Sequence, residues 1–484
     1  MTAHRNPWLV LALVCMAQFM VILDATIVNV ALPSIQNDLE MSDNDLQWIV
    51  NSYTLVFGGF LLLGGRAGDL IGRKRIFLAG VVIFTVASLL NGLAPSSELL
   101  IVFRGLQGLG AALVAPAALS IITTTFAEGA ERAKAMGVWA AIAVGGGAVG
   151  LVLGGVLTTT LSWPWIFYVN IPVGIAVFAA SLRFVPESKD EHEHKSFDLV
   201  GAVTVTAGLL TLVYTIVKAQ EKGWLSTHTL GFGALALALL AAFLVVERRS
   251  PEPLVRLGIF RVPTVRGANV AMFLVAAGLF AMFFFNTLYL QRVLDYSALE
   301  AGLAFLPFTA GIIIGAGLSQ KLVPTLGARE TPLLGMTLAI VGLLLFVRLQ
   351  PGSEYVTDFL PGVMLASIGM GLTFVPITLI ATSGIPNSDA GLASGLFNTS
   401  QQVGGALGLA VLSTLSVSAT EDTLLGLGRD PRPAEQAQAL VDGFHVAYIG
   451  SAGLILAGAV LLAILLRRRD VEAVAVGEAA PAAA

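Results

Sequence analysis

The chain has 484 residues, of which 56% are hydrophobic and 12% are charged, and its formal net charge is −4. Soluble proteins carry about 25% charged residues, so this composition excludes soluble enzymes and secreted proteins. The absence of a basic excess also excludes nucleic-acid binding. The single cysteine, Cys15, lies in an apolar run, which argues against disulfide, redox and cysteine-metal chemistry. These figures indicate a protein that crosses a membrane many times.

Apolar runs long enough to cross a bilayer recur along the whole chain. A transmembrane helix needs about 20 mainly apolar residues. The first run is too long for a cleavable signal peptide. The predicted fold class is therefore all-α, a polytopic membrane protein with fourteen transmembrane helices. The predicted spans, numbered 1 to 14, are 8–32, 46–65, 76–94, 99–122, 135–158, 165–185, 198–217, 228–246, 266–290, 300–320, 331–348, 357–380, 394–417 and 445–466.

The distribution of lysine and arginine predicts the orientation. If both termini are cytoplasmic, twenty of the 27 basic residues fall in inside segments and six fall outside, while Arg104 lies within span 4. Such a bias is typical of the positive-inside rule. We therefore expect a multi-pass protein of the bacterial plasma (inner) membrane with both termini in the cytoplasm.

The second half of the sequence echoes the first. Span 2 is followed by Gly72-Arg73-Lys74, and span 10 by Gly327-Ala328-Arg329. Parallel repeats of this kind are typical of secondary transporters. We expect two six-helix bundles with a two-helix insert between them. The predicted parts are an N-terminal bundle at 1–185, a cytoplasmic connector with the two inserted helices at 186–250, a C-terminal bundle at 251–466 and a disordered cytoplasmic tail at 467–484.

The segment after span 2 carries a specific pattern. It reads Gly-Arg-Ala-Gly-Asp-Leu-Ile-Gly-Arg-Lys-Arg over residues 65–75. A topology anchor would explain the basic residues but not Asp69 or the spaced glycines. The string resembles the signature of the major facilitator superfamily, Gly-x-x-x-Asp-x-x-Gly-Arg-Lys. The resemblance implies a conformational gate made by Gly65, Asp69, Gly72, Arg73 and Lys74.

The same resemblance implies contacts for this gate. Asp69 would meet the cytoplasmic start of span 13, near residues 391–394, when the cavity faces outward. A helix N-terminus stabilises a carboxylate there because its partial charge is positive. Arg73 would tie spans 2 and 3 to the inner end of span 4.

Three further strings resemble one branch of this superfamily, the fourteen-helix drug:proton antiporters of the multidrug efflux type. The strings are 23–33 in span 1 (Leu-Asp-Ala-Thr-Ile-Val-Asn-Val-Ala-Leu-Pro), 104–111 in span 4 (Arg-Gly-Leu-Gln-Gly-Leu-Gly-Ala) and 163–172 at span 6, where Pro164 stands in place of the usual arginine. The resemblance covers residues 8–466. It implies alternating access, export of amphipathic small molecules and inward proton flow as the driving force, with no cofactor.

Asp24 is the only carboxylate well inside a span, and Arg104 is the only basic residue there. An ionisable residue in the membrane costs at least about 2.5–3.5 kcal/mol, so it usually has a function. Asp24 precedes Pro33 by nine residues and Arg104 follows Ser97 by seven, which places both about 10–14 Å below the outer surface. We expect this pair to couple protons to transport. A purely structural ion pair is the alternative.

Span 5 carries the glycines Gly146, Gly150, Gly154 and Gly155, of which the first three form a stripe. Glycines four residues apart lie on one helix face and allow close approach of another helix. Antiporters of the superfamily have Gly-Pro-x-x-Gly-Gly here, whereas this chain has Leu151 in the place of the proline. Ordinary helix packing is the alternative to an antiport role. We expect the stripe to pack against Gly311, Gly315 and Ser319 of span 10.

Polar residues without charge suggest a cavity for cargo. The candidates for its lining are Gln18, Asn29, Gln107, Asn286, Asn398 and Gln401. Interhelical hydrogen bonding is an equally good explanation for several of them. His192 and His194 lie in a charged loop, which favours a solvated segment over a metal site.

Several functions remain as alternatives. Within transport these are a symporter, a uniporter and an exporter dedicated to one metabolite or antibiotic. A membrane-embedded enzyme needs paired acids or a metal set near one face, and no phosphate-binding Gly-x-x-x-x-Gly-Lys string occurs. A receptor or channel does not suit a duplicated six-helix plan. We expect a monomeric exporter, not an enzyme, with amphipathic molecules, protons and lipid as partners and without metal or nucleic acid.

Overall fold

A computed structural model describes residues 6–126, 130–188, 198–250, 253–383, 390–427, 429–468 and 471. Over these residues the secondary structure is helical, with no strand. Helices suit a bilayer because each one satisfies its own backbone hydrogen bonds where water is absent. Twelve described helices are long and apolar enough to cross a membrane, and two shorter apolar helices, Gly145–Thr160 and Glu330–Phe346, occupy predicted spans 5 and 11. The all-α polytopic fold is confirmed, while the count of fourteen crossings stays a prediction.

The helices follow one another with short connections. In chain order they are α1 (Pro7–Asp38), α2 (Asp43–Leu46), α3 (Trp48–Ile71), α4 (Arg73–Gly92), α5 (Ser97–Thr125), α6 (Ala130–Thr160), α7 (Trp165–Tyr168), α8 (Asn170–Phe184), α9 (Leu199–Lys222), α10 (Thr227–Arg249), α11 (Pro263–Leu288), α12 (Ala298–Ala304), α13 (Leu306–Leu326), α14 (Glu330–Phe346), α15 (Leu360–Ala381), α16 (Ala390–Gly426) and α17 (Pro433–Leu465). A 3-10 segment, Leu257–Arg261, and two π-helical segments, Tyr289–Val293 and Tyr355–Phe359, complete the described secondary structure.

The chain divides into two compact units. One contains Met1–Leu210, Leu235–Leu254 and Ser297–Leu303, and the other contains Thr211–Ala234, Val255–Tyr296 and Ala304–Ala484. Helices α9 and α10, the predicted insert, are therefore each shared between the units. The expected four-part boundaries remain a prediction.

In the first unit, α5 packs against α3 and α4, and α1 packs against α6, α8 and α5. Small residues allow the close approach. A Cβ on Gly108 would overlap the Tyr53 carbonyl, and one on Gly110 would lie 2.6 Å from Phe84 N. These contacts set α1, α3, α4 and α5 side by side, which positions the polar site described below.

In the second unit, α11 packs against α16 and α17, and α15 packs against α13 and α14. Glycines again mark the crossings. A Cβ on Gly342 would lie 2.6 Å from Ala366 N, and one on Gly335 would lie 2.5 Å from Gly369 O. The close pairing of α14 with α15 thus depends on glycines on both helices, because a glycine leaves room for the backbone of the other helix.

Several helices extend beyond the predicted ends of their transmembrane spans, so those predicted boundaries were wrong. Helix α3 continues past Gly65 to Ile71, and α13 continues past Gly317 to Leu326. The segment between predicted spans 13 and 14, residues 418–444, is mostly helical in its described part, because α16 has 37 residues and α17 begins at Pro433. A 37-residue helix is about 55 Å long, longer than the roughly 30 Å hydrocarbon core. Hydropathy detects only the part of a helix within the membrane, so it does not predict the polar ends of these helices.

The two repeat signals have the same backbone geometry. Gly72 ends α3 with φ 123° and ψ 130°, and Gly327 ends α13 with φ 108° and ψ 154°. Only glycine adopts this region without strain. The correspondence between spans 2 and 10 therefore extends from sequence to the turn that follows each helix.

The expected partner of the glycine stripe was wrong. A Cβ on Gly150 would overlap Thr26 Oγ1, and one on Gly154 would lie 2.8 Å from Ile27 O, so the stripe faces α1. Gly146 faces the same helix at Phe19 and Ile22. Within the second unit, Gly311 and Gly315 pack on α15 at Ser367 and Ile368, and Ser319 is buried. A helix face made of glycines indicates that another helix packs closely on it, but it does not identify which helix.

Gly155 points in another direction from the stripe. A Cβ on Gly155 would lie 2.6 Å from the Cα of Leu299, at the start of α12 within the first unit. The helix containing the stripe thus does approach the first turn of predicted span 10, through a different face.

Candidate proton-coupling site

Four helices of the first unit bring polar side chains to one point. Asp24 comes from the middle of α1, and Arg104 and Gln107 come from one face of α5, since residues three apart are neighbours on a helix. Ser88 and Asn91 likewise lie three apart on α4. Asn170, the first residue of α8, completes the group. All six side chains are at most 1% exposed.

The centre of the group is an ion pair. Arg104 Nη1 donates a hydrogen bond to Asp24 Oδ2 at 2.6 Å. The structure thus places together the two residues that the sequence predicted at similar depth in one bundle. Removing one partner of a buried pair typically costs about 3–5 kcal/mol, because the other charge is left without compensation.

Arg104 has further partners that fix its position. Its Nε donates to the carbonyl of Ile49 at 3.1 Å. Its Cζ lies 4.4 Å from the ring centroid of Tyr53 and 5.7 Å from that of Phe167. A cation over an aromatic face gains about 0.5–2 kcal/mol. The guanidinium therefore keeps contacts that do not involve Asp24.

Amide groups satisfy the rest of the carboxylate. Gln107 Nε2 donates to Asp24 Oδ1 at 2.7 Å and to Ser88 Oγ at 2.8 Å. Asn170 Nδ2 donates to the same Oδ1 at 3.0 Å. Asn91 Nδ2 donates to Gln107 Oε1 at 2.7 Å. Every group that contacts Asp24 here is a donor, so the site in this state accommodates the ionised carboxylate.

Sequence reasoning found part of this site. Asp24 and Arg104 stand out because charge is rare in a span, and Gln107 is among the candidate polar residues of the cavity. Ser88, Asn91 and the ring of Tyr53 were missed. Ser88 and Asn91 share a helix face in an apolar run, which was the one available signal.

The gate predicted from the signature string is described only in part. The side chain of Asp69 lies outside the described residues, so its contact with residues 391–394 stays a prediction. Lys74 N donates to Glu187 Oε1 at 3.1 Å, and Lys74 Nζ donates to Leu182 O at 2.7 Å. The signature therefore meets the last turn of α8 and the segment that follows it.

One further hydrogen bond joins the same parts of the chain. Arg73 N donates to Ser188 O at 2.9 Å. The Glu187 carboxylate, placed at the N-terminus of α4, lies where the helix dipole stabilises an anion.

The other two predicted gate residues have separate outcomes. A Cβ on Gly65 would lie 3.5 Å from Pro116, in ordinary contact. The predicted tie from Arg73 to the inner end of span 4 stays a prediction.

The six candidate cavity residues differ in how deeply they are buried. Gln107 is part of the cluster around Asp24, and Asn286 is buried and accepts a hydrogen bond from Tyr448 Oη at 2.8 Å. Asn29 and Asn398 donate to carbonyls of their own helices, at Ala25 and Ser394. Gln18 and Gln401 are partly exposed. A role in cavity lining stays a prediction for all six.

Metal-ligating side chains do not cluster in the described part of the chain. His192 and His194 lie outside the described residues, as does the predicted tail from 472 onward.

Comparison with known families decides the class of protein. The model of the Major Facilitator Superfamily matches residues 14–409. This chain belongs to that superfamily. It is therefore a membrane transporter by family, which agrees with its apolar helices.

Related proteins cover nearly the whole chain. The puromycin resistance protein pur8 of Streptomyces alboniger is 41% identical over 475 residues, covering 98% of this chain and 94% of its own length. The cephamycin export protein CmcT of Amycolatopsis lactamdurans is 41% identical over 458 residues, covering 94% and 92%. The multidrug resistance protein Stp of Mycobacterium tuberculosis (strain CDC 1551 / Oshkosh) is 36% identical over 421 residues, covering 87% and 78%.

Solved structures share the fold. A bacterial homolog of the human lysosomal transporter Spinster, inward-facing and unoccupied, aligns with a TM-score of 0.68 at 18% identity, covering 97% of this chain and 98% of its own. The peptide transporter POT in complex with sulfate aligns with a TM-score of 0.63 at 16% identity, covering 94% and 95%. At these identities the likeness concerns the fold alone.

Proposed function

We propose that this chain is a proton-coupled antiporter that exports amphipathic small molecules from the cell by alternating access. The observation that carries the proposal is the buried pair of Asp24 and Arg104, 2.6 Å apart, in a chain of the major facilitator superfamily. A carboxylate can bind and release a proton, whereas a guanidinium remains charged. Asp24 is the one group in the cluster suited to carry the proton.

The opposed influences on Asp24 favour exchange of its proton. Burial disfavours the charged carboxylate, and the nearby guanidinium favours it. In the proposed cycle Asp24 takes a proton from outside, the transporter turns inward, and arriving cargo displaces that proton. Each charge that moves inward contributes about 2.3 kcal/mol per 100 mV of membrane potential.

The test uses purified protein in proteoliposomes with puromycin as cargo. Asp24→Asn should abolish uphill movement of puromycin under an imposed proton gradient. It should spare exchange of labelled for unlabelled puromycin without a gradient, because asparagine has an uncharged side chain of the same shape. Uphill transport by Asp24→Asn at the wild-type rate contradicts the assignment.

Glu221→Gln is a matched control outside the membrane-spanning segments. Hydrogen bonds from Lys222 and Lys218 lower the pKa of Glu221 to about 2, so this carboxylate stays charged at any pH where the exporter works. It cannot serve as the proton carrier. The control should therefore transport uphill as the wild type does.

A dedicated exporter of one antibiotic is the second candidate. It is favoured by relatives whose names include puromycin, cephamycin, lincomycin and tetracenomycin C, each covering at least 93% of this chain. A resistance panel in an efflux-deficient bacterial host separates the candidates. Protection against several unrelated compounds supports a multidrug exporter, and protection against a single scaffold supports the dedicated one.

Two further features belong to the proposal. We place both termini in the cytoplasm, because the basic residues lie mostly on that side. We also propose that the chain works as a monomer without a cofactor, since the first compact unit already contains the whole Asp24 cluster.

A further inference from the structure

A single nitrogen of Arg104 occupies the gap between two acceptor oxygens. Nη1 donates to Asp24 Oδ2 at 2.6 Å and also to Gln107 Oε1. Beside this bridge, Gln107 Nε2 donates directly to Asp24 Oδ1 at 2.7 Å. The carboxylate and the carboxamide therefore face each other edge to edge. One pair of atoms is joined by a hydrogen bond, and the other pair, both oxygens, is joined through a cation.

A neutral carboxylic acid needs no cation in this arrangement. Its O–H can donate to an amide oxygen while its carbonyl oxygen accepts from the amide N–H, which gives two parallel hydrogen bonds. We propose that the coupling proton binds to Asp24 Oδ2 and donates to Gln107 Oε1, in the place that Arg104 Nη1 occupies in the ionised state. This inference rests on the proposed proton coupling and adds Gln107 as the residue that positions the proton.

The step balances with one proton. Hydronium in the outer solution gives up H⁺ and becomes water, an O–H bond forms at Asp24 Oδ2, and the carboxylate changes from −1 to neutral. The existing hydrogen bond from Gln107 Nε2 to Oδ1 stays. Arg104 Nη1 then faces an O–H donor and loses both acceptors. Proton and arginine are mutually exclusive occupants of one gap, so binding of the proton releases the arginine.

The neighbours of Gln107 keep its oxygen aimed at the gap. Asn91 Nδ2 donates to Oε1 at 2.7 Å, and Ser88 Oγ accepts from Nε2 at 2.8 Å. With a donor required towards Asp24 Oδ1 and an acceptor towards Asn91, the amide has a single satisfactory orientation. The carboxamide thus stays in place while the proton and Arg104 exchange.

The released guanidinium retains partners. Its Nε bond to Ile49 O and its place over the Tyr53 ring involve neither Asp24 nor Gln107. Within the described part of this bundle, Arg104 of α5 and the phenol of Tyr53 on α3 are the charged or titratable groups that face Asp24, while α4 and α8 present Ser88, Asn91 and Asn170. Competition for the gap is therefore between the proton and one arginine.

Infrared difference spectra of the purified protein, taken on acidification without cargo, test this directly. With ¹³C in the glutamine side-chain carbonyl, wild type should gain a protonated-carboxyl band and shift a labelled-glutamine band at the same midpoint pH. Asp24→Asn should lose both changes. Gln107→Met should lose the glutamine shift and keep a carboxyl band.

Asn170→Leu is the matched comparison. It removes one N–H donor to Asp24 Oδ1, as Gln107→Met does, but it leaves the acceptor opposite Oδ2 in place. It should therefore retain the glutamine shift. The inference is overturned if the wild-type carboxyl band appears with no glutamine shift, or if the shift survives in Gln107→Met.

Transport by the same variants gives an independent result. Gln107→Met should lower uphill puromycin transport about tenfold or more, equivalent to at least about 1.4 kcal/mol, while exchange without a gradient persists. Asn51→Leu, which removes a buried amide of α3 outside the cluster, controls for the loss of any buried amide and should remain coupled. Coupled transport by Gln107→Met at the wild-type rate refutes the inference.

The two failures are distinguishable. If wild type moves no puromycin yet the glutamine shift accompanies protonation of Asp24, the proposed function fails for this cargo and the proton site stands. If wild type transports uphill and the glutamine band never shifts, the proposed function stands and the role of Gln107 is wrong.

Discussion

At the scale of single residues, the chemistry depends on donors and acceptors more than on charge alone. Arg104 contacts Asp24, Gln107, the Ile49 carbonyl and the Tyr53 ring at once. A planar guanidinium can do this because its donors point in several fixed directions and its face is free to stack. A lysine ammonium offers the charge without that geometry.

Arg104→Lys therefore tests geometry at constant charge. Hydrogen bonds to charged groups contribute about 1.5–3 kcal/mol each, and the variant loses at least one of them together with the planar contact on Tyr53. We expect uphill transport in proteoliposomes to fall about tenfold or more.

The control for this variant is Arg429→Lys. Arg429 is an exposed arginine that pairs with Glu435 far from Asp24 in sequence, so the same substitution there should leave the rate unaffected. Equal rates for Arg104→Lys and wild type mean that charge alone suffices at this position.

At the scale of helices, glycines decide which faces meet. The stripe on α6 lets α1 approach so closely that a methyl group on Gly150 would overlap Thr26 Oγ1 and lie 2.9 Å from Leu23 O. Leu23 and Thr26 flank Asp24 on α1. The α6 stripe thus supports the helix that carries the proposed proton carrier, and the sequence pattern had suggested a different partner.

Gly150→Ala should consequently destabilise the protein and weaken transport. Overpacking a close contact costs about 1–3 kcal/mol, which appears as a lower Tm in detergent. Gly145→Ala on the same helix is the control, because a Cβ there meets nothing within 4 Å and alanine favours a helix by about 1 kcal/mol. A Tm for Gly150→Ala as high as that of the control argues against tight packing on α1.

At the scale of the whole molecule, the positions of lysine and arginine predict which side of the membrane each loop faces. The predicted topology places the start of α10 outside and its end inside, which gives a test within one helix. In a Cys15→Ala background, Leu225→Cys precedes α10 and Arg249→Cys ends it, and both positions are exposed.

A membrane-impermeant maleimide provides the measurement. It should label Leu225→Cys in intact cells and Arg249→Cys only after permeabilisation, because arginine and lysine accumulate on the cytoplasmic side. Labelling in the reverse order would place both termini outside.

The sequence by itself determined the membrane class, the family and the two charged residues of the site. Each follows from a local property: apolar runs exceed the bilayer thickness, the 65–75 string is specific, and Asp24 and Arg104 are costly in lipid. Gly72 was also identified from the sequence as part of the signature string, and the structure adds that its backbone angles require glycine.

Only the tertiary structure decided which side chains surround Asp24 and which helix meets the glycine stripe. Asp24 contacts residues 80 to 146 positions away in sequence, and Ser88 and Asn91 look like ordinary polar residues of an apolar helix until α4 is placed beside α5. The small residues on a helix face show that another helix can pack closely there. They do not identify which helix packs there, because that depends on how all the helices of the bundle are arranged.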